Sequence, residues 1–370
     1  MTVANSPFRG PGGIYNFNAG PSILPKEVFE EASRAILDFN NTGLSILEIG
    51  HRTPLFQAVM DEAISLVKEL MNLDNDHEVL FLHGGASTQF MQVPMNLLNE
   101  NEAAAYTDTG VWAIKAIKEA KLFGHVEIVC SSKEANYTFL PKEFTVTPTA
   151  KYLHITSNNT IYGSQWPDLS LFDKYGVPLV ADMSSDILSR QIDFNKFSLI
   201  YAGAQKNVGA AGVNLIVINK NILGKVNRSI PTMMDYRNHI ENGSMINTPP
   251  VFAVYVCMLT LRWLKKQGGV AAIEKMNDAK AKLLYDTVDS LPIFKGTIAR
   301  EDRSKMNAVF LMDNTLLEKK FLELCKSEGM IGVKGHRSVG GFRVSMYNAL
   351  PFASVKALTD LMKYFLQQHG

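Results

Sequence analysis

Cysteine is scarce in this chain: only three of its 370 residues are cysteines. Cys130, Cys257 and Cys325 are odd in number, lie far apart and form no Cys-x-x-Cys pair. This pattern argues against a disulfide framework and against a structural zinc site, and it is typical of proteins in a reducing compartment.

An excess of charge of one sign and a long apolar run are missing as well. The 37 basic and 36 acidic residues leave a formal net charge of +1, so no nucleic-acid or membrane surface is indicated. The most apolar window, 251–264, contains Arg262 and is too short to cross a bilayer. Residues 1–13 lack the apolar stretch of a signal peptide, and the chain has no internal repeats. We therefore expect a soluble, cytoplasmic protein.

Short β-rich runs alternate with helical or loop segments over the first 220 residues. These runs lie at 78–82, 103–107, 126–131, 151–156, 177–181, 199–202 and 214–219. Alternation of this kind favours an α/β fold in which a mainly parallel sheet of seven strands lies between helices.

Two amphipathic helices are predicted ahead of the first of these strands. In the first, Val28, Ala32 and Ile36 recur at helical spacing before a stop at Gly43. The second follows Pro54, and its apolar face consists of Phe56, Val59, Met60, Ala63 and Val67.

The pattern changes after a long apolar helix predicted at 251–266. Beyond it, strands at 308–312 and 342–347 alternate with helices at 316–328 and 353–368, which is an α+β pattern. We expect a large domain at 17–266 and a smaller C-terminal α+β domain at 267–370, with the N-terminal arm 1–16 packed against the smaller one.

Lys206 is the residue that says most about function. It lies between an apolar run and a glycine-rich turn, where a lysine amine is able to meet a carbonyl. The preceding strand ends at Asp182. Pyridoxal phosphate (PLP) requires both groups, a lysine for the Schiff base and a carboxylate for the pyridinium nitrogen. From these two residues alone, a surface lysine and a loop-capping aspartate remain an alternative.

The segments that follow the other strands are unusually polar. Ligands in open α/β sheets bind at the carboxyl ends of the strands. There, His83-Gly-Gly-Ala-Ser87 is a glycine turn entering a helix, a place where N–H groups and a hydroxyl hold phosphate. Trp112 and the loop Thr156-Ser-Asn-Asn-Thr160 follow two further strands. Each segment read singly is also compatible with an ordinary turn, core residue or loop.

Basic residues cluster in two short motifs, His51-Arg52 and His336-Arg337, and Arg343 begins a strand soon after the second motif. Guanidinium groups match carboxylate and phosphate groups bidentately. The motifs therefore indicate a small substrate with several negative charges, although solvated surface charge explains either motif taken alone.

Taken together, these positions resemble the phosphoserine aminotransferases, a family of class V aminotransferases with the PLP fold of type I. The likeness covers nearly the whole chain. It is carried by Asn16-Phe-Asn-Ala-Gly-Pro-Ser22, Glu48-Ile-Gly-His-Arg-Thr53, Gly84-Gly-Ala-Ser87, Ala204-Gln-Lys-Asn207, Asn247-Thr-Pro-Pro250, Lys334-Gly-His-Arg-Ser338 and Gly341-Phe-Arg343.

The resemblance implies a role for each matching residue. Lys206 would bind PLP covalently, Asp182 would hold the ring nitrogen, and Trp112 would cover the ring. Thr160 would lie near the phenolic oxygen, and Ala86, Ser87 and Gln205 around the phosphate. Asn247 and Thr248 would reach the cofactor of the other subunit in a homodimer. The implied substrate-binding residues are His51, Arg52, His336 and Arg337 for the phosphate and Arg343 for the α-carboxylate; no metal is implied.

The implied activity is reversible transamination between O-phospho-L-serine with 2-oxoglutarate and 3-phosphohydroxypyruvate with L-glutamate, in serine biosynthesis. Whether 4-phosphohydroxy-L-threonine of pyridoxine synthesis is also a substrate stays open. Asn159 and Ala86-Ser87 depart from the residues common in the family, which we expect to affect affinity. Two alternatives are another class V enzyme, such as an alanine–glyoxylate aminotransferase or a cysteine desulfurase, and a non-catalytic protein that senses a phosphorylated metabolite.

Overall fold

The computed structural model describes residue 8 and residues 13–369. Within this part of the chain the helices are α1 (Lys26–Leu37), α2 (Pro54–Met71), α3 (Gly85–Leu97), α4 (Val111–Ala120), α5 (Tyr236–Glu241), α6 (Val251–Lys266), α7 (Gly269–Ser290), α8 (Thr315–Ser327) and α9 (Phe352–His369). The strands are β1 (Tyr15–Asn16), β2 (His77–Leu82), β3 (Ala103–Asp108), β4 (His125–Ser131), β5 (Leu153–Thr156), β6 (Leu179–Asp182), β7 (Leu199–Gly203), β8 (Asn214–Asn219), β9 (Lys295–Gly296), β10 (Asn307–Leu311), β11 (Met330–Ile331) and β12 (Phe342–Ser345).

The seven predicted strands form one sheet in the order β2-β8-β7-β6-β5-β3-β4. Strands β3 to β7 pair in parallel, and β8 lies antiparallel between β2 and β7. The predicted α/β class with a mainly parallel seven-stranded sheet is therefore confirmed. The reversed β8 pairs with β7 as a hairpin, and β2 pairs with the other side of β8 as the edge strand.

Successive side chains of each strand enter two different hydrophobic cores, because strand side chains alternate between the two faces of a sheet. In β2, Val79 and Phe81 pack with α1, α2 and α6 on one face, whereas Leu80 and Leu82 pack with α3 and α4 on the other. Both faces are thus covered by helices, and polar groups reach solvent chiefly at the ends of the strands.

The apolar face of α2 is as predicted, but that of α1 is not. In α1 the buried residues are Val28, Ala32 and Ala35, whereas the predicted Ile36 is 38% exposed. The spacing of three residues from Ala32 to Ala35 turns the buried stripe away from Ile36, so the prediction for Ile36 was wrong. Helix α6 has the predicted bounds.

A separate hydrophobic core lies beyond α6. It joins α7, α8 and α9 to the antiparallel sheet β12-β10-β9 and includes Phe17 near the N-terminus. The short strand β1 pairs in parallel with β11, and the ring of Phe8 lies 5.5 Å from that of Tyr364.

We propose the domain boundary at 266/267 on the grounds of these separate cores. The large domain was expected to begin at residue 17. Phe17 itself packs in the C-terminal core, so it belongs with the smaller domain. Most of the predicted arm 1–16 lies outside the described residues. In the part of the chain that the structure describes, no helix has the length and apolarity to cross a membrane.

Candidate active site

The carboxyl ends of β2, β3, β5, β6 and β7 lie at the same edge of the sheet. Strands β2 and β7 are both antiparallel to β8 and therefore run in the same direction as each other. The chain moves outward from β3 to β4 and then returns to β5 on the other side of β3, which creates a topological switch point between β3 and β5. Ligands of open α/β folds bind at such a point.

A cavity of about 140 Å³ lies at this edge. The predicted residues Ala86, Ser87, Trp112, Thr160, Asp182, Gln205 and Lys206 line it. Its other lining residues are Gly85, Thr156, Asn158, Ser184 and Ser185. Seven of the nine residues predicted to hold the cofactor therefore meet in one cavity, although their individual roles stay predictions.

The amine of Lys206 projects from the turn after β7. Its Nζ donates a hydrogen bond to Thr160 Oγ1 at 2.9 Å and lies 5.9 Å from the centre of the Trp112 ring. The turn is held from the N-terminal segment, where the Ser22 hydroxyl donates to the Lys206 carbonyl at 2.6 Å and the Ser22 N–H donates to the Gln205 carbonyl at 2.9 Å. The Asn-Ala-Gly-Pro-Ser motif thus positions the lysine.

Burial lowers the pKa of Lys206 to about 8, because desolvation penalises the ammonium form. The Asp182 carboxylate opposes this shift, and the nearby Arg343 guanidinium adds to it. A lowered pKa makes a larger fraction of the amine neutral at physiological pH, and only the neutral amine is a nucleophile or a base.

We expect the neutral fraction of Lys206 to rise as pH increases through about 8, rather than through the ordinary 10.5. The rate at which an acylating reagent modifies Lys206 in cofactor-free protein, followed by peptide mass spectrometry, should reach its half-maximum near pH 8. In Asp182→Asn the midpoint should be lower still, because the carboxylate that favours the ammonium is gone. If the pH midpoint of acylation lay near 10.5 in both proteins, the lowered pKa of Lys206 would be contradicted.

Asp182 ends β6 at the floor of the cavity. The carboxylate is buried, and its Oδ1 accepts a hydrogen bond from the Ser184 N–H at 2.9 Å. Burial raises its pKa, while the bond from Ser184 and the charge of Lys206 act in the opposite direction. A buried carboxylate that lines a cavity favours a cationic N–H partner, such as a protonated ring nitrogen.

The turn before α3, whose residues Gly85, Ala86 and Ser87 line the cavity, has the features of an anion site. Gly84 has φ +97°, and a Cβ at this position would lie 2.0 Å from Thr88 Oγ1, so only glycine fits. The first N–H groups of α3, from Gly85 to Ser87, have no partner within the helix. Together with the helix dipole they favour a phosphate.

Two side chains of the cavity wall have polar atoms that are open to a ligand. Trp112 Nε1 and Thr156 Oγ1 are buried without a hydrogen-bond partner in the described part of the chain. Buried polar atoms are usually hydrogen-bonded, so these two are candidates for contact with a polar ligand. Asn159, one of the departures from the family pattern, does not line the cavity: its Nδ2 donates to Ser164 Oγ at 3.1 Å.

Positive charge gathers at the mouth of the cavity. Arg343 lies in β12, and its Nη1 donates to the Thr160 carbonyl at 3.4 Å, whereas its buried Nε has no partner. His336 Nδ1 and the Ser338 hydroxyl lie 2.7 Å apart in the loop before β12. The pKa of His336 is lowered by burial and then by the charges of Arg343 and Arg337. Binding of a multiply anionic substrate by these groups stays a prediction.

Besides Arg343, His336 and Arg337, four further predicted site residues are not among those that line this cavity. His51 Nε2 is buried without a partner, Arg52 is exposed, and Asn247 is partly exposed. The Thr248 carbonyl accepts a hydrogen bond from His83 Nε2 at 2.9 Å, next to the glycine turn. A single chain thus leaves these residues outside the cavity, and their part in a composite site stays a prediction.

Several lining residues were not selected from the sequence. Asn158 Nδ2 donates to Ser185 Oγ and to Asn307 Oδ1, both at 2.8 Å, which joins the cavity wall to the C-terminal core. Asp186 accepts from Ser157 Oγ and, at 3.0 Å, from Gln165 Nε2. The polar pair Ser184-Ser185, two residues after the buried strand β6, is a sequence signal that could have identified this part of the wall.

Comparison with known proteins shows the family of the chain. The model of the family "Aminotransferase class-V" matches residues 14–358. The phosphoserine aminotransferase of Flavobacterium johnsoniae is 57% identical over 350 residues, which are 94% of this chain and 98% of that protein.

Solved structures give the same result. The phosphoserine aminotransferase from Bacillus circulans subsp. alkalophilus superposes with a TM-score of 0.93 at 43% identity, covering 96% of this chain and 99% of its own. The PLP-bound phosphoserine aminotransferase from Trichomonas vaginalis has a TM-score of 0.87 at 36% identity, covering 95% and 99%.

The fold and the lysine–aspartate cavity define a PLP-dependent aminotransferase of class V. Within this class, the chain belongs to the phosphoserine aminotransferase family. It is therefore an enzyme, and pyridoxal phosphate is its cofactor.

Proposed function

We propose that this enzyme transfers an amino group reversibly between O-phospho-L-serine and 2-oxoglutarate, giving 3-phosphohydroxypyruvate and L-glutamate, as a step of serine biosynthesis. The observation that carries the proposal is the arrangement of Lys206 and Asp182 in one cavity whose mouth holds Arg343 and His336. The relatives named above are phosphoserine aminotransferases, which supports the same substrate.

The residues of the cavity fit pyridoxal phosphate. Its phosphate suits the N-terminus of α3 at Ala86 and Ser87 with Gln205 beside it, and its ring suits the space between Trp112 and the carboxylate of Asp182. Thr160, which accepts a hydrogen bond from Lys206 Nζ, would interact with the phenolic oxygen. When bound, the cofactor supplies an aldehyde that condenses with amines and a ring that withdraws electrons from the substrate α-carbon.

Lys206 moves the proton. With the cofactor bound, the neutral Lys206 amine at Nζ would accept the α-proton of the substrate as a general base and would then donate it as a general acid. The lowered pKa of about 8 leaves the amine partly neutral near physiological pH, which suits both proton acceptance and proton donation. Asp182 would keep the ring nitrogen of the cofactor protonated, because its carboxylate is buried and lines the cavity.

Arg343 and the His336-Arg337 motif select the substrate. The Arg343 guanidinium, with its unpaired Nε, is placed to take the α-carboxylate next to Lys206. His336 and Arg337 lie in the adjoining loop and are placed to bind the distal phosphate. Local cations thus give a nearly neutral chain an anion-selective site.

The enzyme is proposed to act as a homodimer with composite sites. His51, with its buried unpaired Nε2, and the exposed Arg52 would complete the substrate-phosphate site of the other subunit. Asn247 and Thr248 would reach the cofactor phosphate of that subunit. This arrangement explains why these four residues are absent from the cavity of a single chain.

A cysteine desulfurase is disfavoured by the cysteines themselves. That activity needs a reactive thiolate, whereas burial raises the pKa of Cys130, Cys257 and Cys325 to about 12 each. The three cysteines are free, which also supports a reducing compartment, and we propose the cytoplasm. Use of 4-phosphohydroxy-L-threonine in pyridoxine biosynthesis remains a further proposal.

We expect the purified protein to show the visible absorption band of a lysine-bound cofactor. O-phospho-L-serine should abolish this band efficiently, with formation of the pyridoxamine form, whereas L-alanine and L-cysteine should leave it nearly unchanged. If alanine or cysteine abolished the band and phosphoserine did not, the cofactor assignment would stand and the substrate assignment would be wrong.

A further inference from the structure

Lys115 is a cation at the cavity mouth to which no role has yet been given. It lies on α4, three residues after Trp112, so the two side chains share one face of the helix. Its Nζ lies 4.4 Å from the centre of the Trp112 ring. Lys206 Nζ lies 5.9 Å from the same ring centre, so both lysine amines lie near the Trp112 indole.

The loop that carries His336 lies within electrostatic reach of Lys115. The charge of Lys115 disfavours protonation of His336, as do the charges of Arg343 and Arg337. Lys115 thus belongs to a group of cations near the cavity. It lies on α4, whereas Arg343 lies in β12, and His336 and Arg337 lie in the loop before β12.

Lys115 forms no ion pair with a carboxylate in the part of the chain that the structure describes. Glu119 lies at the i+4 position on the same helix, where such a pair is common, but the lysine turns toward Trp112 instead. Cations that face one another without a counter-charge repel, and an anion placed between them relieves this repulsion.

We propose that Lys115 is a specificity-determining residue that binds the distal anionic group of the substrate and favours a phosphate dianion over a carboxylate. This inference rests on the proposed function and names a further binding group of that site. The attraction of an added cation grows with the charge of the anion, so it strengthens binding of a dianion more than that of a monoanion. A compact ammonium on a flexible stem also adapts to distal groups of different shape.

The alternative is that Lys115 only covers the Trp112 ring. A cation–π contact at an exposed site is weak, but its loss would change how Trp112 lies against the cofactor. In that case both substrates would suffer equally and the visible absorption of the bound cofactor would shift. Discrimination between substrates of different charge therefore separates the two roles.

The test compares the wild-type holoenzyme with Lys115→Met, Lys115→Arg and the control Lys118→Met, which removes an exposed lysine from the same helix. We measure kcat/KM for O-phospho-L-serine and for L-glutamate in separate half-reactions, at low and high salt, together with the absorption spectrum of the bound cofactor.

In Lys115→Met we expect kcat/KM for phosphoserine to fall about 5-fold to 20-fold and that for glutamate no more than about 3-fold, mainly through KM. Lys115→Arg and Lys118→Met should stay within about 2-fold of wild type for both substrates. High salt should weaken the phosphoserine preference of the wild type more than that of Lys115→Met.

Equal losses for both substrates, or no loss for phosphoserine, overturn the inference while the proposed function stands. A shifted cofactor spectrum with equal losses also overturns it and assigns Lys115 to the support of Trp112. If the wild-type enzyme itself fails to convert phosphoserine, the proposed function is wrong and the inference falls with it.

Discussion

Lys206→Ala is expected to lower kcat for phosphoserine by at least about 10⁴-fold. The substitution removes the amine that binds the cofactor and also the base that moves the α-proton. The hydroxyl that accepts the hydrogen bond from Nζ, Thr160 Oγ1 at 2.9 Å, is too weakly basic to replace the amine. Single-turnover conversion of phosphoserine and the absorption spectrum of the bound cofactor measure the two losses separately.

Small added amines provide the control for Lys206→Ala. Methylamine should restore part of the proton transfer, because it fits the space left by the lysine side chain and supplies a base of similar chemistry. Thermal unfolding should change little, since Lys206 donates only one side-chain hydrogen bond and its backbone remains held by Ser22. Residual activity above about 1% of wild type without an added amine would show that another group moves the proton.

Asp182→Asn is expected to lower kcat by about 10²-fold to 10⁴-fold. The amide has nearly the same shape and still accepts the hydrogen bond from the Ser184 N–H, but it carries no charge. The ring nitrogen then loses its proton and withdraws fewer electrons from the α-carbon. The measurement is kcat together with the affinity for the cofactor, which should fall less than kcat does.

Asp186→Asn is the matched control, because Asp186 is a second buried carboxylate four residues further along the chain. It accepts hydrogen bonds from Ser157 and Gln165 and lies 3.6 Å from Arg190, so its partners are structural and it does not line the cavity. We expect this change to affect unfolding more than kcat. Equal losses of kcat in the two variants would contradict the assignment of Asp182.

The alternation of β-rich runs predicted every strand of the central sheet to within two residues of an end, because buried strands are short, apolar and bounded by polar turns. This alternation did not predict the order of the strands in the sheet. Nothing local to residues 214–219 distinguishes a reversed β8 from a parallel strand, and pairing with β2 and β7 sets its direction.

In the site, too, some features follow from the sequence and others from the tertiary structure. The sequence by itself determined the chemistry: Lys206 after one strand, Asp182 at the end of another, and the glycine turn at 84–87, because these motifs depend on residue type and local spacing. Only the tertiary structure decided the distances. It placed Asn158, Ser184 and Ser185 in the wall, brought Arg343 to Thr160 and Lys115 to Trp112, and left His51, Arg52, Asn247 and Thr248 outside the cavity of one chain. Contacts between residues far apart in sequence arise from strand order and core packing, which short-range patterns do not encode.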